Sequence, residues 1–154
     1  MRDVSWKEVI DLFDSVQHVS IATVDEDGCP RISPIGSVSF FSEREGYYFE
    51  KFPKAMRENL DSTPRMSILA VQPAPLFWMK SLGKGRFDSQ PALRLICEAG
   101  KRRTATQSEI DAWLKRVRKF SFLKGHDLLW KDMNMVRTFK VLRIEPVELG
   151  RMNP

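Results

Sequence analysis

The sequence predicts a mainly β, α+β fold: about six antiparallel strands forming a barrel with helices on its flanks. Three observations lead there. Period-two alternation recurs in His18–Val24, Arg65–Gln72 and Thr138–Ile144. Turn residues, Asp25-Glu26-Asp27-Gly28 and Ser42-Glu43-Arg44-Glu45-Gly46, link the early strands at hairpin distance. Few segments show the strand-helix-strand rhythm of a parallel doubly wound sheet.

Ser5-Trp6-Lys7-Glu8 has the spacing of a capping box, in which the serine hydroxyl and the glutamate carboxylate each satisfy a backbone donor at a helix start. Trp6, Val9, Ile10, Phe13 and Val16 follow as one apolar stripe, so the first helix runs to about Gln17. In the strand that follows, Val19, Ile21 and Thr23 share one face. A second β segment spans Arg31 to Phe41, interrupted by Pro34 and Gly36. Proline cannot donate to a ladder, so this segment lies at an edge, bulges, or leaves backbone groups free for a ligand. Tyr47–Phe52 is the third strand. Pro53 then opens a short helix with Lys54 and Arg57 in its first turn. Free N–H groups, the positive end of the helix dipole and two cations together outline an anion site.

Thr63-Pro64 forces an extended exit into Arg65–Gln72, whose two faces both read as largely buried. Pro73-Ala74-Pro75 breaks the chain, Leu76–Ser81 reads as a strand, Gly83-Lys84-Gly85 as a loop and Ala92–Ala99 as a strand. Thr106-Gln107-Ser108-Glu109 is a second capping box, followed by the stripe Ile110, Trp113, Leu114, Val117 and Phe120. Lys124–Asn134 has no assignable pattern, and Thr138–Ile144 closes the sheet before Pro146.

With 154 residues, the chain suits one domain, 1–154. Its 42% hydrophobic and 29% charged residues point to a globular protein rather than a disordered one, and no apolar run reaches membrane-spanning length. The opening residues, Met1 to Trp6, carry no apolar run of the signal-peptide kind, so a cytoplasmic location is expected. Cys29 and Cys97 lie in different segments without metal-ligand spacing, and no metal is expected. The net charge of +5 suits a protein that handles anions.

There is no GxSxG, Walker loop, HExxH or GxGxxG motif, and His18 and His126 lack partners at ligand spacing. No catalytic residue is assigned. The basic face of the helix 109–120, with Lys115, Arg116, Arg118 and Lys119, admits a non-enzymatic nucleic-acid-binding module. A solvated face opposite a core stripe is the preferred reading, because no RNA-binding or helix-turn-helix signature accompanies it.

Ser20-Ile21-Ala22-Thr23-Val24, Asp27-Gly28-Cys29-Pro30-Arg31, Tyr47-Tyr48-Phe49, Lys54, Asn59-Leu60 and Pro64-Arg65-Met66-Ser67-Ile68, in this order, resemble the pyridoxamine 5′-phosphate oxidase-like, FMN-binding split-barrel family. The resemblance covers roughly residues 6–72. It implies a six-stranded split barrel, a homodimer with FMN at the subunit interface, and oxidoreductase activity on a small molecule with a reduced nicotinamide as candidate donor. By the same resemblance, Arg31, Ile32, Ser33, Pro34 and Ile35 run beside the flavin ring, and Phe49, Glu50 and Lys51 lie near the ribityl chain and phosphate. Lys54 is the first choice for the phosphate clamp and Arg57 the second. Asn59 matches the family pattern, with a capping role as the alternative. The related ligands are a deazaflavin or haem. True pyridoxamine phosphate oxidases carry a C-terminal Trp and an Arg-Leu-x-Pro run, whereas this chain reads Glu148-Leu149-Gly150-Arg151-Met152-Asn153-Pro154, so vitamin B6 is not the expected substrate.

Overall fold

The structure, a computed structural model, describes residues 3–154; Met1 and Arg2, which open the N-terminal stretch read above, lie outside the described residues. Both capping boxes form. Ser5 accepts from Glu8 N–H at the start of α1 (Trp6–Ser15), and Thr106 accepts from Glu109 N–H at the start of α4 (Gln107–Val117), with each glutamate reaching back to its cap. The strands are β1 (Val19–Val24), β2 (Pro30–Ile35), β3 (Ser39–Ser42), β4 (Glu45–Phe49), β5 (Arg65–Val71), β6 (Ala92–Thr104) and β7 (Met135–Pro146). Between them lie α2 (Lys54–Ser62), α3 (Pro75–Lys84), α4 and α5 (Lys124–Trp130).

Among the described residues the seven strands form one antiparallel sheet in the order β2-β1-β5-β6-β7-β4-β3, the split-barrel arrangement. The fold class is the expected one, with two changes in its elements. The segment Arg31–Phe41 divides into β2 and β3 around Gly36, and the two pieces become the sheet's opposite edges. Leu76–Ser81 is helical rather than extended: Pro75 occupies the first turn of α3, where its missing N–H costs nothing, and Gly85 closes the helix at φ 68°. Gly83-Lys84-Gly85 is therefore the last turn and cap of α3 rather than a loop. The unassigned Lys124–Asn134 contains α5.

Strand periodicity distributes the core over two faces. Val19, Ile21 and Thr23 are buried on one side of β1, and Met66, Ile68 and Ala70 on one side of β5. The other face of β5 is not buried as expected: Ser67 and Leu69 are half-buried and Val71 is exposed. Val9, Leu12 and Phe13 of α1, with Met56 and Leu60 of α2, complete this main core. A second core collects Tyr47, Phe49 and Val136 with Ala105, Trp113, Val117 and Met133 beneath α4. β4 serves both, Tyr48 facing one core and Tyr47 and Phe49 the other, so Gly46 to Phe49 are all buried.

Candidate functional site

The end of β4 and the start of α2 meet the connection between β2 and β3. Phe49 N–H donates to Ser37 Oγ at 3.0 Å, fixing that connection against β4. Beside it opens a cleft of about 710 Å³, within the range of small-molecule and cofactor sites. Pro34, Ile35, Gly36 and Ser37 line one wall; Phe49, Lys51 and Phe52 continue it. His18 and its neighbours at the α1–β1 junction form the rim, and Trp113, Arg116, Lys119, Phe120 and Trp130 supply the opposite wall from α4, the turn after it and α5.

A smaller cleft of about 290 Å³ adjoins the first, with Lys51 and Phe52 common to both and Glu50, Pro53, Lys54 and Arg57 completing it. Pro53 caps α2 without a side-chain bond to the free N–H groups of the first turn. Lys54 Nζ lies 3.5 Å from Glu58 Oε1, both largely exposed, and Arg57 makes no ion pair among the described residues. The positive helix end thus has two cations without a buried counter-charge, the electrostatic condition for holding an anion.

Glu50 stands behind this cleft. Its carboxylate accepts from Arg137 through Nε and, at 3.0 Å, Nη2; Tyr48 Oη–H donates to it at 3.1 Å, and Arg102 Nε lies 2.7 Å away as an ion contact without hydrogen-bond alignment. Arg137 also donates to Asp61 at 2.7 Å and to Gly100 O at 3.2 Å. Burial alone would lower the basicity of its guanidinium, but the bonds to Glu50 and Asp61 carry its pKa above the ordinary value. Burial also pushes the Tyr48 phenol well up.

The structure brings Pro34, Ile35, Phe49 and Lys51 together in the large cleft, and Glu50, Lys51, Lys54 and Arg57 in the small one. Arg31, Ile32 and Ser33 lie outside both, on the edge strand β2: Arg31 Nε pairs with Asp25 at 2.9 Å, Ile32 is 71% exposed and Ser33 is half-buried. Asn59 is buried and donates to Thr23 Oγ1 at 3.0 Å, tying α2 to β1. That amide holds α2 against the sheet.

Sequence reasoning did not bring Arg102 or Arg137 to Glu50, and it read the basic face of α4 as solvated rather than as a wall of the cleft. Arg137 shares the buried parity of Phe139 and Val141, and a charge in that register was the available signal. Trp113 is core as read, 7% exposed, but also lines the cleft, and its indole Nε1 has no acceptor. The basic helix face divides: Arg116 and Lys119 line the cleft, with Arg116 reaching Val16 O and Val38 O at 3.4 Å each, while Lys115 and Arg118 face solvent. Among the described residues there is no cluster of three or more potential metal ligands, and no helix long and apolar enough to cross a membrane.

The family model described as pyridoxamine 5′-phosphate oxidase matches residues 5–153. A comparison with curated proteins finds no match. Among solved structures, HupZ from Group A Streptococcus is similar at 20% identity and TM-score 0.63, over 96% of this chain and 97% of that one. An FMN-binding protein from Syntrophomonas wolfei subsp. wolfei is similar at 15% identity and TM-score 0.64, over 95% and 88%. HutZ, the haem storage protein from Vibrio cholerae, is similar at 14% identity and TM-score 0.55, over 91% and 92%. At these identities the three likenesses are of fold.

Proposed function

The chain belongs to the pyridoxamine 5′-phosphate oxidase family, and from that footing we propose that it binds FMN and acts as an oxidoreductase on a small molecule. The observation that carries this reading is the pair of clefts joined at Lys51 and Phe52, one roomy and aromatic, the other small and cationic. A flavin nucleotide has the same division: a flat ring wanting apolar walls and a dianionic phosphate wanting compact positive charge. In this proposal Pro34 to Ser37 face the ring, Phe49 and Lys51 flank the ribityl chain, and Lys54 and Arg57 hold the phosphate at the start of α2. Glu50 acts from behind, its charge compensated by Arg137 and Arg102 so that it does not repel the phosphate. FMN when bound supplies the electron or hydride transfer, which accounts for a site without a nucleophile motif. The donor is a reduced nicotinamide, and the protein works as a cytoplasmic homodimer of a single domain, 1–154. The exposed edge β2, with Ile32 at 71% exposure, and Val24 at the end of the neighbouring β1, at 42%, support a partner subunit on that side.

An absorbance spectrum and an FMN titration test the proposal. Purified protein is yellow or shifts the absorbance band of added FMN, and protein that does neither overturns it. The double variant Lys54→Ala with Arg57→Ala binds FMN roughly ten- to a hundredfold more weakly, the loss of charge-assisted contacts worth about 1.5–3 kcal/mol. Unchanged affinity in a folded variant places the phosphate elsewhere.

One observation favours a second ligand, haem. His18 lines the large cleft, whereas His126 is buried and directed at Asp127 and Trp130, so His18 is the histidine within reach of a bound metal macrocycle. A Soret band on haem titration, lost in His18→Ala, supports this reading. No Soret shift removes it.

A further inference from the structure

The flavin proposal uses the sheet side of the large cleft and leaves its helical wall without a role. That wall sets two exposed cations beside aromatic rings. Arg116, at the end of α4, and Lys119, in the turn that follows, both line the cleft, and neither has a carboxylate partner among the described residues. Arg116 has only two long bonds, 3.4 Å, to the Val16 and Val38 carbonyls, which hold its guanidinium at the rim while leaving donors over. The Lys119 ammonium lies 5.0 Å from the centroid of the Phe120 ring, another cleft residue. The same cleft is lined by Trp113 and Trp130, edge to face with centroids 6.3 Å apart. The Trp113 indole N–H is cut off from solvent and has no acceptor.

Cations without counter-charges and an unpaired donor beside aromatic rings call for a ligand that is flat, apolar in body and rich in acceptors at one edge. The charge count selects among anions. Lys51, Arg116 and Lys119 against Asp14 leave the cleft about two net positive charges; Lys51 belongs to the sheet side that the flavin proposal uses, which leaves about one for a ligand on the helical wall, suited to a carboxylate rather than to a dianionic phosphate. We propose that this wall is a second recognition site, which binds a small planar carboxylic acid. Arg116 and Lys119 take the carboxylate, and Trp113 and Trp130 take the ring. That this acid is the substrate rests on the flavin reading, because only then does the opposite wall carry a redox ring. Binding of the acid does not rest on it.

The test uses the ¹⁵N-labelled full chain without added flavin, titrated with 2-naphthoate and its neutral counterpart 2-naphthamide. The indole N–H resonances of Trp113 and Trp130 are assigned through Trp→Phe variants. Naphthoate shifts both resonances and binds at least tenfold more tightly than naphthamide, the advantage of one charge-assisted contact. Lys119→Gln and Arg116→Gln each reduce that ratio, and the pair together bring it close to one. Lys119→Gln removes no backbone contact, so the test stands if Arg116→Gln, which loses two carbonyl bonds, fails to fold. Equal affinity for acid and amide, a preference unchanged in Lys119→Gln, or no shift at either indole overturns the proposal. Protein that ignores FMN yet prefers the acid overturns only the flavin reading. Protein that binds FMN without preferring the acid overturns only this one.

Discussion

Replacing Arg137 by methionine tests how the chain tolerates a buried carboxylate beside the small cationic cleft. The guanidinium side chain is 4% exposed and the Glu50 side chain 2%. Losing one partner of a buried pair costs about 3–5 kcal/mol, because the remaining charge is left uncompensated in a medium that solvates it poorly. Here the lower end applies: Glu50 keeps Arg102 at 2.7 Å and the Tyr48 hydroxyl at 3.1 Å, and Arg102 is 31% exposed. About 3 kcal/mol is expected for Arg137→Met in urea denaturation followed by circular dichroism. Adding Glu50→Gln removes the stranded charge, so the double variant is more stable than Arg137→Met alone by at least about 1 kcal/mol. On the flavin proposal, FMN affinity follows the same order, falling in Arg137→Met, where Glu50 at the small cleft keeps Arg102 alone as a cationic partner, and recovering in the double variant. Losses that simply add, or a cost for Arg137→Met below about 1 kcal/mol, refute the buried network as the compensating device.

Two further predictions concern protonation. Burial pushes the Cys97 thiol up to about 12, whereas Cys29 is exposed in the β1–β2 turn, so native protein at about pH 8 gives one reactive thiol and denatured protein two. The unfolded thiol ionises near its ordinary value of 9.0 and the folded one does not, so Cys97 costs stability as pH rises from there toward about 12, and Cys97→Ala reduces that slope. Arg103 donates to Glu109 at 2.8 and 2.7 Å and holds its carboxyl below the ordinary 4.5. That stability is present above the ordinary value and is lost as pH falls through the depressed one. Glu109→Gln therefore lowers the melting temperature near neutral pH, and the difference from the parent chain shrinks as pH falls below the ordinary carboxyl value. A gap that widens on acidification refutes the pairing.

The elements that sequence alone determined are those whose cause lies within a few residues. Ser5 with Glu8 and Thr106 with Glu109 form their caps because each partner is three residues away on the same turn. Gly28, at φ 79°, makes the β1–β2 turn for the same local reason. The ordered pieces from Ser20 to Ile68 pointed to the family, and the family model extends it over 5–153. Leu76–Ser81 failed as a strand because a short apolar run fits either period, although Pro75 before it and Gly85 after it were legible helix boundaries.

What the tertiary structure decided is the company each site residue keeps. The family resemblance implies a place for Glu50 beside Lys51 near the ligand, and only folding brings Arg137 to it from 87 residues away. Asn59 meets Thr23 across 36 residues, and Arg116 meets Val16 across 100. Those meetings follow from the pairing of β4 with β7, the packing of α2 against β1 and the seating of α4 over the second core, long-range contacts that no local spacing encodes. Lys54 and Arg57 are legible because their helix start is local. The cleft they adjoin is not, because its walls come from both ends of the chain.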